Sequence, residues 1–239
     1  MHRMLIAVLA LAACAPGDTE AAPDAAANLA TPGAVQPAAD ARESGTFRIL
    51  RGDSTLVTAR FQRTATELRS ELMGDPAAER VEYTATLNAD ATVARMQARI
   101  FASRDAREPK EQVEIAFRGD SAHIEAMEGG KTQKGSIQAP AGVIPIPISE
   151  AITMAEQILR RARALGGATV RVPILSLENG MNTGTAEVTF MGPDSARVRF
   201  TGQGSGGTGS SELIAATDAV GRLLGGRLPG QGFVIRRDP

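Results

Sequence analysis

Alternation of apolar and polar residues constrains this chain more than any other feature. Val81, Tyr83, Ala85 and Leu87 alternate with Glu82, Thr84 and Thr86, and a period of two puts each set on its own face of an extended strand. The pattern recurs. Phe47 and Ile49 flank Arg48; Val57, Ala59 and Phe61 alternate with Thr58, Arg60 and Gln62; Val113, Ile115 and Phe117 follow the same rule. Between Thr92 and Ser103 the parity shifts near Ala94 and Arg95, which predicts a bulge. Short Gly/Asp/Asn connections favour antiparallel neighbours over crossovers.

Three of these connections share one design. Arg51-Gly52-Asp53-Ser54, Arg118-Gly119-Asp120-Ser121 and the looser Gly192-Pro193-Asp194-Ser195 each end one strand and begin another. Gly takes positive φ at little cost and Asp bonds its own backbone, so all three predict hairpin turns. Two copies spell Arg-Gly-Asp-Ser, a string that resembles integrin-binding loops, yet turn chemistry accounts for it without a ligand. Further strands are expected over residues 169–177, 185–190, 196–200, 212–217 and 233–236.

One stretch reads as helix. Over residues 149–165, Ala151, Ile152, Ala155, Ile158, Leu159, Ala162 and Leu165 recur at helical spacing. Ser149 is the expected N-cap, Glu150 suits the first turn, and Gly166-Gly167 stops the helix. The Pro-alternating residues 143–148 lead into it as an extended apolar strap. The expected fold is therefore mainly β (α+β): a curved antiparallel sheet or half-barrel with one principal amphipathic helix packed on it.

The amino terminus sets an address. An apolar run from Met4 leads into Leu11-Ala12-Ala13-Cys14, which holds the only cysteine. The run is shorter than the roughly 20 apolar residues that a membrane span needs, and it suits a removed signal segment. The arrangement resembles the lipobox of bacterial lipoproteins. The resemblance implies cleavage before Cys14, acylation there (palmitate or a similar chain), and attachment to a membrane of the cell envelope. Ala15 after the cysteine implies the outer membrane, facing the periplasm, if the host has two membranes. Residues 1–13 are then signal peptide. Residues 14–44, rich in Ala and Pro with almost no large apolar side chain, form a flexible tether, and residues 45–239 form a single β-rich domain. With no second thiol, that domain has no internal disulfide, and its stability must come from packing.

Several chemistries can be set aside. A formal charge of −1 gives no electrostatic case for nucleic acid, and one tyrosine with no tryptophan offers no stacking platform. Ser121, His123 and Glu125 have the residue types of a hydrolytic triad. Two apart along a strand, however, they stand about 6.5–7 Å from one another, whereas a nucleophile and its base need about 2.6–3.2 Å. Gly202-Gln203-Gly204-Ser205-Gly206-Gly207 matches a dinucleotide fingerprint in letters only, since no helix follows. No metal or other cofactor is expected, with so few His and Cys side chains available.

In strand order alone, residues 46–237 resemble the envelope half-barrels that include periplasmic lipoprotein carriers. The late stretch from Ala216 to Leu224 resembles the closing hairpin of uncharacterised envelope domains. The reading is a non-enzymatic, lipid-anchored envelope protein that binds a lipid or other apolar ligand between sheet and helix. Tyr83 on the sheet and Ile152, Ala155 and Leu159 on the helix are the expected contacts. The alternatives are a tethered domain that docks on another envelope component, and a hydrolase whose groups meet from distant strands. The membrane is the expected partner in each case, through Cys14, and the oligomeric state stays open.

Overall fold

The computed structural model describes residues 42–74, 79–178, 181–202 and 211–238. Cys14, the residues expected to form the signal segment, nearly all of those expected to form the tether, and most of the Gly-rich stretch 202–207 lie outside them. The meander opens with β1 (Glu43–Arg51), β2 (Ser54–Arg63), β3 (Glu67–Gly74), β4 (Arg80–Leu87), β5 (Val93–Phe101), β6 (Glu111–Arg118), β7 (Ser121–Glu128) and β8 (Lys131–Gln138). A short β9 (Ile144–Ile146) and the helix α1 (Ile152–Leu165) follow. The second meander is β10 (Thr169–Ser176), β11 (Asn182–Phe190), β12 (Ser195–Gly202), β13 (Ser211–Thr217), β14 (Leu223–Leu228) and β15 (Phe233–Asp238).

All fifteen strands join one open, curved sheet, ordered β8 to β1, then β15 down to β9. The two meanders meet where β15 pairs antiparallel with β1, Ile49 opposite Ile235. Only β9 runs parallel to its neighbour, because the chain passes through α1 before returning as β10. The curved antiparallel sheet with one packed helix is thus the architecture that the alternation predicts. The expected bulge is present as well: Thr86 pairs with Arg95 and Leu87 with Val93, which leaves Ala94 as the extra residue.

The sheet curls around α1. The inward row of β4, which is Val81, Tyr83, Ala85 and Leu87, is buried, and so are Phe47, Phe61, Leu68, Met96, Val172, Val188 and Val198 from strands on both sides. Phe47 and Phe61 stack with centroids 5.3 Å apart. The strap passes beside β5, where Pro147, together with Leu177 from beyond β10, borders a small void shared with Ala98, Ile100 and Val113. Because walls surround the helix, its burial exceeds a single stripe: Thr153, Met154, Glu156 and Gln157 are buried alongside Ile152, Ile158, Leu159 and Ala162.

Two expectations for the helix need correction. It begins at Ile152, and Ala151 is the N-cap with no side-chain cap bond. Ser149 donates its hydroxyl to Glu150 instead, while Ala151 N–H is taken by Ile148 O in a turn. The apolar stripe also stops short, since Leu165 is 47% exposed. At the carboxyl end Gly166 (φ 73°) donates to Ala162 O and Arg163 O and terminates the helix as expected.

Candidate functional site

The register gives the sheet two ends. At the near end stand Glu43 at the start of β1, Arg63 opposite it, and the starts of β10, β12 and β14. At the far end stand Arg51, the close of β10 at Ser176, and Leu228 paired with Phe233. The helix runs from the far end to the near end.

A cavity of about 560 Å³ opens at the far end, against the first turns of α1. Its apolar wall combines Ile152 and Ala155 of the helix with Ile49, Ile174, Phe200 and Phe233 of the sheet. Its rim is polar, with Arg51, Glu150 and Glu178. Glu178 accepts from Ser149 N–H at 3.1 Å, and the Arg51 guanidinium lies 4.7 Å from the Phe233 ring centroid. Gly184 of β11 faces Gly202 of β12 in this wall. A Cβ on Gly202 would stand 2.8 Å from Gly184 Cα, so the two strands approach where neither carries a side chain. Gly in a strand interior often marks such an approach.

Of the four expected contacts, Ile152 and Ala155 line this cavity. Tyr83 and Leu159 do not. Leu159 is fully buried in the core and Tyr83 is 2% exposed. Burial pushes the Tyr83 phenol up to about 12, and its hydroxyl shares a hydrogen bond with Thr153 Oγ1. Both side chains pack sheet against helix and leave no space there for a ligand. Small alanines on α1 therefore mark close packing over most of its length, and a cavity only at its first turns.

Sequence reasoning missed a second constellation, at the near end. Glu156, buried on α1, accepts from Leu223 N–H at 3.1 Å and Arg237 Nη1 at 2.8 Å through Oε2. Its Oε1 accepts from Arg160 Nε at 3.0 Å and lies 3.5 Å from Arg63 Nε. Glu43 gathers Arg160 at 2.7 Å, Arg222 at 3.1 Å and Arg237. Arg237 also lies over the rings of Phe47 and Phe61. Arg63 Nη1 donates to Gln157 Oε1 at 2.5 Å, but its Nε and Nη2 find no hydrogen-bond acceptor. Burial pushes the Arg63 guanidinium down to about 10 even with Glu156 opposing. Four guanidiniums around two carboxylates tie β1, β2, β14 and β15 to one turn of helix. The sequence signal was Glu156-Gln157 beside the apolar stripe, which a surface helix would leave in solvent.

The remaining candidates stay apart from both places. Ser121, His123 and Glu125 lie along β7 opposite Gln138, Ser136 and Lys134; His123 is exposed, and Glu125 pairs with Lys134 at 2.8 Å. Among the described residues no group of three or more His, Cys, Asp or Glu side chains is placed to hold a metal ion, and no helix is long and apolar enough to cross a membrane.

No family model matches the chain, and no curated protein matches it. Its fold is similar to the crystal structure of a DUF1089 family protein from Pseudomonas aeruginosa, at 14% identity over 74% of this chain and 91% of that chain, with a TM-score of 0.45.

Proposed function

We propose that this is a lipid-anchored envelope protein, without catalytic activity, that binds a single apolar or amphiphilic ligand in the far-end cavity. What carries the reading is a void of about 560 Å³ with an apolar wall and a polar rim. That size lies within the roughly 300–1,000 Å³ of small-molecule sites, which share this division of lining chemistry. The lipobox-like Leu11-Ala12-Ala13-Cys14 supports the address, since an envelope protein lives among lipids. The separation of Ser121, His123 and Glu125 from the cavity gives the hydrolase reading no support.

Native mass spectrometry tests the binding. A chain lacking residues 1–14, exported and purified without detergent, should carry a reproducible added mass that organic solvent releases and that proves to be a lipid. A bare mass across independent preparations would sink the carrier reading and favour the docking alternative, which cross-linking in cells would then pursue.

A further inference from the structure

The near end carries an apolar surface that the cavity does not explain. Among the described residues five large apolar side chains are well exposed: Leu165, Met191, Val220, Leu224 and Val234. The strand register and the direction of α1 put the first four in segments at the near end, at 47% to 58% exposure, and Val234 opposite Leu50 at the far end. Single exposed apolar residues are ordinary, but convergence from separate segments is not. Here the helix terminus, the β11–β12 turn and the β13–β14 turn meet. Arg163 Nη2 donates to Pro193 O at 3.0 Å, and Thr217 N–H donates to Asp194 O at 2.8 Å. Gly221 lies so close to the helix that a Cβ would stand 2.8 Å from Leu159 O. The three segments therefore form one continuous rim around the last turns of α1.

The same end receives the tether. Glu43 begins β1 there, bonded to Arg160 of the helix and Arg222 of the β13–β14 turn. A chain anchored through Cys14 enters the fold at this point, so this is the end whose distance from the bilayer the tether limits most directly. The several acyl chains that the lipobox resemblance implies at Cys14 hold the chain to the membrane without orienting the fold, and an apolar rim at the same end would orient it. We infer that Leu165, Met191, Val220 and Leu224 rest in the bilayer that holds Cys14, so that the ligand cavity opens away from that membrane. The cavity would then load from, or deliver to, something on the far side, and not the lipid directly beneath it. The occupant rests on the anchoring part of the proposed function and is independent of what the cavity binds.

The acylated chain has no free thiol, so one added cysteine can be labelled alone. The full-length lipoprotein, reconstituted in phosphatidylethanolamine/phosphatidylglycerol vesicles, would carry a polarity-sensitive dye at Val220→Cys or at Asp53→Cys, exposed in the far-end β1–β2 turn and outside the cavity. Acylation is first confirmed by the mass of the amino-terminal peptide. The Val220 label should shift to the blue and lose most of its emission to a nitroxide at headgroup depth, while the Asp53 label should do neither. Equal behaviour of the two labels overturns the inference, as does a Val220 label shielded equally in detergent-free buffer on the chain lacking residues 1–14, where only a second copy could cover it. Absence of acyl mass overturns it through the anchor, and a failed ligand search leaves it standing. Val220→Asp with Leu224→Asp, both at exposed positions, should abolish the Val220-end quenching read from a label at Met191→Cys while the far-end label stays unchanged.

Discussion

Glu156 is the residue on which the near end depends, and the surplus of positive charge around it decides how substitutions there behave. Glu156→Gln keeps the shape and the bond from Leu223 N–H but leaves Arg63, Arg160 and Arg237 with Glu43 alone as counter-charge. Removing one partner of a buried pair costs about 3–5 kcal/mol, and urea unfolding should show a loss in that range. Arg63→Met should cost less. Glu156 keeps Arg160 and Arg237, and two guanidinium nitrogens without acceptors are no longer buried. The reverse order would mean that the surplus charge is compensated by something else. Glu43 adds a pH dependence. Burial would raise its pKa, but Arg160, the bond from Arg237, and Arg222 outweigh burial and hold it below the ordinary 4.5. A carboxyl depressed in the folded state stabilises fully above its unfolded value, and that stability is lost as pH falls through the folded one. Stability should therefore decline below about pH 4.5, and Glu43→Gln should flatten that decline in a series of melts. A steeper acid limb in the variant would contradict the assignment.

At the scale of elements, Gly221 offers the sharpest test of how the sheet holds the helix. It sits at φ 81°, and an added Cβ would meet Leu159 O at 2.8 Å and Arg160 N at 2.9 Å. Both strain and overlap oppose Gly221→Ala, and each such effect costs about 1–3 kcal/mol. The melting temperature should drop by several degrees, while Gly52→Ala, also at positive φ but with nothing near, should cost only the backbone strain. The alternation in β1, β2, β4 and β6 was legible because these strands bury one face and expose the other. β3 was not read, because Ser70 stands among its buried residues and Glu71 and Met73 share its outer face. β8 escaped for a different reason: it is one of the two edge strands, exposed along nearly its whole length, with Lys131 on one face and Lys134 on the other. Charged side chains on an edge discourage pairing with other chains, and the same choice erases the periodic signal. The helix was legible in position and not in its faces. A surface helix hides one stripe, whereas α1 is enclosed on most sides, so Thr153, Glu156 and Gln157 look polar by letter and are core by location.

For the whole molecule, the decisive relation is between two ends about 30 Å apart, the span of a nine- or ten-residue strand. Charge and side-chain bonding concentrate at one end and open apolar space at the other, and α1 joins them. Sequence named Ile152 and Ala155 as ligand contacts but could not separate them from the packed Tyr83 and Leu159, because the cavity's other walls, Ile49, Ile174 and Phe233, come from strands far along the chain. Ala155 separates the cavity's role from the fold's stability. It is only partly buried and faces empty space, so Ala155→Phe should fill the void with little loss of stability, where the same change at the packed Ala162 should overpack and cost about 1–3 kcal/mol. If the cavity binds an apolar ligand, the filled variant should unfold at nearly the wild-type urea midpoint yet lose the added mass in native spectrometry. A variant that keeps its ligand would move the binding place away from the first turns of α1. A variant that loses both ligand and stability would show that the space is a relaxed part of the core, closed in solution by the walls that surround it.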